Sequence, residues 1–293
     1  MRWTRGGRSE NLEDRRAESP GRMGLPGGGM RLGLGGMLLV LGIGWALGLD
    51  PLTLLGALSG GGTSVDVPMG SPDQVSAPGP LATSPEEEER VDFVSFVLDD
   101  AQQTWGGLMQ NYSPAQLVLF RNAVQTGCGY APSAAGPFYC PRDQKVYVDL
   151  GFFDELKSRF GAPGDFAQAY VLAHEIGHHV QNQLGIEREL RAQQQAHPGQ
   201  ANALSVRMEL QADCLAGVWG HSTQRRDLLD PGDLEEGLAA ASAVGDDRIQ
   251  EMATGEVRPE SFTHGSSEQR VAWFRRGFDS GDPNACDTFG SSE

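Results

Sequence analysis

The run Phe166–Leu184, FAQAYVLAHEIGHHVQNQL, decides how this chain is read. Its apolar residues Tyr170, Val171, Leu172, Ile176 and Val180 fit a mostly buried helix, expected over 166–184. Inside it, His174-Glu175-Ile176-Gly177-His178 has the spacing HExxH. Residues i and i+4 share one face of a helix, so His174 and His178 can both aim imidazole nitrogens at one zinc ion. Glu175 lies about 100° further round the axis. There its carboxylate can take a proton from a zinc-bound water, whose pKa the metal lowers. The bland alternative is a surface helix with polar residues at an accidental spacing. The apolar neighbours argue against it, because unpaired polar groups are costly to bury.

A catalytic zinc site takes three protein ligands and keeps one position open. Glu209, Asp213, His221 and His264 are the downstream candidates for the third. Glu209 and Asp213 sit at i and i+4 on a second helix expected over 201–225. Glu209 as ligand leaves Asp213 free to accept the second N–H of a zinc-bound histidine, which fixes the ring's tautomer. The alternative for such a pair is two solvent-facing carboxylates. Other helices are expected from Ser84-Pro85, with Ser84 as N-cap, to about Gly106-Gly107, and over 234–249 and 267–278. Lys145–Leu150 reads as a strand, edge or interior. His179, His197 and His221 read as non-ligands, with His179 a structural hydrogen-bonding residue. The fold class is α+β, mostly helical with a small sheet.

Four ordered blocks carry a resemblance. They are Cys128-Gly129 with Gly136–Pro141 (GPFYCP), His174–Asn182 (HEIGHHVQN), Glu209–Trp219 (ELQADCLAGVW) and Ser261–Arg270 (SFTHGSSEQR). Over about residues 85–290 the chain resembles the bacterial neutral zinc metallopeptidases, and the broader gluzincin pattern with them. The resemblance implies a zincin-like (minigluzincin) domain using Zn2+ and a peptide or protein substrate. It implies Glu209 as third ligand, Asp213 behind a histidine, and a later residue that stabilises the oxyanion. His264 is suitably placed for that role, with Arg270 close behind; a loop or capping histidine is the alternative. The strand at 145–150 resembles the edge strand on which zincins lay an extended substrate.

The chain has 293 residues and a formal net charge of -16, which excludes the basic footprint that nucleic acid needs. From Leu32 to Leu49 it runs LGLGGMLLVLGIGWALGL without a charge, about the minimum for a membrane-spanning helix. Seven arginines precede this stretch and an acidic flank follows it. The positive-inside rule then gives a cytoplasmic N-terminus and an extracytoplasmic catalytic domain, single-pass in the cell membrane with lipid contact through 32–49. A cleaved signal peptide is the competing reading. The expected organisation is a disordered tail over 1–31, the span over 32–49, a Gly/Pro/Ser stalk over 50–85 and the metallopeptidase domain over 86–293.

Cys128, Cys140, Cys214 and Cys286 suit two disulfides outside the cytoplasm, with three possible connectivities. Cys128 and Cys140 bracket a short loop that a bridge could staple, which would leave Cys214 for Cys286. The expected function is peptide hydrolysis by a zinc-bound water that Glu175 activates. A zinc-stabilised scaffold without activity, a zinc amidohydrolase of the cell envelope and a metal-free chaperone-like protein are the alternatives.

Overall fold

The computed structural model describes residues 1–18 and 83–290. It is mostly helical, with a four-stranded sheet and a separate hairpin. Helix α1 (Pro85–Leu108) starts as its sequence demands. Ser84 accepts a hydrogen bond from the Glu87 amide, Pro85 takes the first turn, and Glu86, Glu87 and Glu88 meet the positive end of the helix dipole. The Gly106-Gly107 pair does not stop it; the helix runs one residue past it.

The sheet has strands β1 (Leu12–Asp14), β2 (Gln116–Phe120), β5 (Phe138–Cys140) and β6 (Lys145–Asp149). Their spatial order is β1-β2-β6-β5, and β3 (Ala123–Thr126) with β4 (Gly129–Pro132) forms the hairpin. β1, β2 and β6 are parallel, and β5 runs antiparallel to β6. Alternate residues of a strand face opposite sides, and the sheet uses both. Leu117, Leu119, Val146 and Val148 enter the main core with the helices. Val118, Phe120 and Tyr147 face a smaller core shared with Val124 of the hairpin.

Between sheet and C-terminus lie α2 (Gly151–Ser158), α3 (Asp165–Gln183), α4 (Ile186–Ala196), α5 (Ala201–Arg225), α6 (Asp233–Ala243), α7 (Asp246–Thr254) and α8 (Ser267–Ser280). The single helix expected over 234–249 is two. The chain breaks at Gly245, where a Cβ would meet the Ser267 amide nitrogen at 2.4 Å. α8 opens with a capping box between Ser266 and Gln269.

α3, α5 and α8 cross where the residues are small. A Cβ on Gly217 would lie 2.1 Å from the Phe274 carbonyl oxygen, and one on Gly277 would lie 1.9 Å from that of Cys214. Backbone therefore touches backbone where α5 meets α8. A Cβ on Gly177, inside HExxH, would lie 3.0 Å from the Ala212 carbonyl oxygen. These approaches bring the faces of three helices to one point.

The expected disordered tail is not found over residues 1–18. They are ordered and packed on the domain, and β1 pairs with β2 from Leu12↔Leu117 to Asp14↔Leu119. The folded part thus includes a segment ahead of residue 86. The expected span at 32–49 lies outside the described residues, as does most of the expected stalk. Among the described residues no helix is long and apolar enough to cross a membrane. The disulfides are Cys128–Cys140 and Cys214–Cys286. The first ties the hairpin to β5, and the second ties the C-terminal tail to α5.

Candidate metal centre

α3 presents His174 and His178 one turn apart, their rings edge to face at 4.7 Å. α5 presents Glu209 opposite them. Its Oε2 lies 3.2 Å from His174 Nε2 and its Oε1 lies 3.5 Å from His178 Nε2. The donor atoms of His174, His178 and Glu209 all fall within 4.8 Å of one another. Glu175 is buried and lines the same cleft. The four residues that the spacing singles out are brought together.

Each histidine has its other nitrogen engaged. His174 Nδ1 donates to Asp213 Oδ1 at 2.8 Å, as expected, which leaves Nε2 for a metal. Asp213 is fully buried and is itself clamped. The Arg270 guanidinium donates through Nε to Oδ2 and through Nη2 to Oδ1, each at 2.8 Å. The Tyr170 hydroxyl donates to Oδ1. His178 Nδ1 donates to Gln181 Oε1 at 2.8 Å. Gln181 in turn donates to the Met208 carbonyl and to Gln211 Oε1. The tautomers are those that these acceptors require.

The electrostatics ask for positive charge where the three ligands meet. Burial opposes a charged His174, yet Asp213 and Glu209 outweigh it and raise its pKa to about 10. His178 is raised too, against burial, chiefly by Glu209. Burial alone would lift Glu209, but the two imidazoles hold it well below the usual carboxylate range. Asp213 falls to about 2, because Arg270 and His174 outweigh its desolvation. Two imidazoles and a carboxylate, held this close, satisfy one another with protons or with a divalent cation. Two nitrogens and an oxygen, each histidine oriented from behind, form a donor set that suits zinc.

A family model described as "Putative neutral zinc metallopeptidase" matches residues 1–289. The chain belongs to that family. An Escherichia coli K12 protein, the uncharacterized protein YpfJ, is 49% identical over a 298-residue alignment that covers all of both chains. An uncharacterized protein of Mycobacterium bovis is 48% identical over 200 residues, which is 64% of this chain and 67% of the relative. No solved structure matches. Membership of the zinc metallopeptidase family gives the ion as Zn2+, in agreement with the donor set.

Around the candidate metal centre opens a cleft of about 670 Å³. Phe138, Tyr139, Leu190 and Met208 line it, together with His264 and Arg270. β6 is the interior strand of the two placements the sequence leaves open, with β2 and β5 flanking it, so it does not offer the substrate edge that the resemblance implies. β5 is the outer strand on this side of the sheet, and its Phe138 and Tyr139 line the cleft. It is short, and Gly136-Pro137 hides it in the sequence. Tyr139 joins it to the metal helix. His179 Nδ1 lies 3.0 Å from the Tyr139 hydroxyl, and Asn182 donates to that hydroxyl at 2.9 Å. His179 Nε2 donates to the Ser113 carbonyl at 2.7 Å. It is thus the structural histidine its position suggests, and burial lowers its pKa.

His264 reaches the cleft on the loop before α8. Asp246 holds that loop: its Oδ2 accepts from the amides of Thr263, His264 and Gly265, and its Oδ1 lies 3.2 Å from His264 Nδ1. That carboxylate raises the pKa of the imidazole against burial. Arg270 is spent on Asp213 and is not available to a substrate. His221 donates from Nδ1 to the Phe278 carbonyl and His197 is exposed at a helix end, so neither approaches the metal ligands. Sequence reasoning missed Tyr170 and Gln181. Both carried a signal: Tyr170 lies one turn before His174, and Gln181 lies three residues after His178, on faces that reach the two rings.

Proposed function

We propose that this protein is a zinc-dependent peptidase, with His174, His178 and Glu209 holding the ion and Glu175 as general base. The observation that carries the reading is the convergence of these four side chains at one wall of an open cleft. A zinc ion held by His174, His178 and Glu209 would supply Lewis acidity, polarising the scissile carbonyl and lowering the pKa of a water molecule. Among the described residues no side chain or amide donates a hydrogen bond to the Glu175 carboxylate, so it is free to accept from that water. Glu175 takes the proton from the attacking water and passes it to the leaving amine nitrogen. His264, poised by Asp246, donates to the oxygen on which negative charge develops. An extended peptide lies along β5 and pairs with its backbone, while the apolar lining receives side chains. The apolar stretch 32–49 supports association of the chain with a bilayer.

Metal analysis of the purified protein, followed by peptide hydrolysis, tests the reading. One zinc per chain is expected, lost in His174→Ala and Glu209→Ala. Glu175→Gln is expected to keep the metal and lose 10²–10⁴-fold in kcat, about the share of a general base. A zinc-loaded wild type that cleaves no member of a diverse peptide library would sink the proposal.

A further inference from the structure

Before Leu32 the chain carries seven arginines, and that pattern normally fixes an N-terminus in the cytoplasm. The five that are described are used otherwise. Arg2 pairs with Asp230, and Arg5 with Glu89 and Asp92. Arg8 pairs with Asp14 and Glu88, and Arg15 with Glu13. Arg16 is the centre of the set. Its side chain is wholly buried, and it donates to Asp14, Glu87 and Glu88. Exposed ion pairs are weak, but a buried guanidinium facing three carboxylates needs them all. It would be strongly unfavourable to bury alone.

Backbone and apolar contacts fix the same segment. β1 joins the sheet beside β2, the Leu117 amide donates to the Asn11 carbonyl, and the Arg15 amide donates to that of Leu119. The Arg2 amide donates to the Leu228 carbonyl at 2.7 Å. Trp3 packs on Phe93 and Phe96 of α1, and Ser9 is buried against Asp99. Residues 1–18 and 83–290 belong to one compact unit.

We infer that residues 1–18 are an integral strand of the metallopeptidase domain, and therefore lie on the same side of any membrane as that domain. A chain whose two flanks fold together cannot have one flank on each side of a bilayer. The single-pass arrangement expected from the sequence is incompatible with these contacts. The two disulfides place the domain in an oxidising compartment. The arginine-rich segment is then translocated with it, its charge neutralised by the acidic surface it binds. This holds whatever the cleft hydrolyses.

Single cysteines in the full chain test both halves of the inference, because the described native cysteines are all bridged. Ser9→Cys and Glu10→Cys differ by one position, one buried and one exposed. In the purified protein a maleimide is expected to label Glu10→Cys at once and Ser9→Cys only after denaturation. Equal reactivity of the two in the native protein would overturn docking. Glu10→Cys and the exposed Glu251→Cys then report sidedness in cells. A membrane-impermeant maleimide is expected to label both to the same fraction, in intact and in permeabilised cells alike. Labelling of one in intact cells while the other waits for permeabilisation would overturn the shared side.

Discussion

Asp213 orients His174 through Nδ1, neutralises the buried Arg270 guanidinium and anchors the Tyr170 hydroxyl. An amide in its place keeps the shape but offers one acceptor, and its NH2 group opposes the donors of Arg270. Asp213→Asn is therefore expected to lower zinc affinity 10–100-fold and folding stability by about 3 kcal/mol. Chelator competition and thermal melts measure the two. An unchanged zinc affinity would show that Asp213 only holds the fold. The centre also has a pH signature. His174 titrates near 10 in the metal-free fold against 6.5 in a free chain, so zinc must displace its proton across the neutral range. Affinity is expected to fall as pH falls, by up to about tenfold per unit for each proton displaced. The metal-free protein shows the opposite linkage from this group. The stability that protonated His174 contributes is complete below pH 6.5 and is lost as pH rises through about 10. A zinc affinity that is flat between pH 6 and 8 would contradict the proton count.

At the scale of elements, the glycine crossings decide whether the ligands meet. The Cβ of Gly217→Ala would fall on the Phe274 carbonyl, so α5 and α8 must move apart. Overpacking of this kind costs about 1–3 kcal/mol or more, and it also lifts Arg270 off Asp213. Stability and zinc affinity are expected to fall together. Gly177→Ala, against a 3.0 Å approach, should cost less; the reverse order would refute this account of the crossing. Tyr139→Phe removes the hydroxyl that His179 and Asn182 hold. It should raise KM several-fold with zinc content and kcat little changed, since it loosens β5 and not the ion. The boundaries of α5 were legible in the sequence, and those of α3 to within a residue. Both helices are long and periodic. HExxH and Glu-x-x-x-Asp were legible because the i, i+4 geometry is local. β5 was not, since three residues give no alternation to read. Its place as the outer strand depends on pairing across the sheet. The split at Gly245 was also hidden, because the clash that forces it comes from α8, more than twenty residues later.

For the whole molecule, the start of the chain has two readings in sequence, for a physical reason. Arginines beside an apolar stretch look the same whether they face a cytoplasmic leaflet or a set of carboxylates, and, apart from the local Glu13 and Asp14, the partners lie more than seventy residues away in Glu87, Glu88, Glu89, Asp92 and Asp230. The same acidity that excludes nucleic acid supplies those partners. Two long-range restraints then close the domain, the docked strand β1 and the Cys214–Cys286 bridge. The bridge spans 72 residues, which in the chain-entropy account stabilises the fold by about 4 kcal/mol. Reduction should lower Tm without removing zinc, because no cysteine is a ligand. The strand makes a separate demand. A fragment starting at Ser84 keeps every metal ligand but leaves β2 without a neighbour on one side and Phe93 and Phe96 without Trp3. It also leaves Glu87 and Glu88 close together without Arg16. Such a fragment is expected to melt well below the full chain and to aggregate through the bared edge of β2. A synthetic peptide of residues 1–18 should raise its Tm in proportion to the logarithm of peptide concentration once the site is saturated, as for any ligand of the native state alone. The same peptide with Arg16→Glu should not. Equal melting of fragment and full chain would mean that β1 is a passenger on the sheet, and the acidic face of α1 would need another explanation.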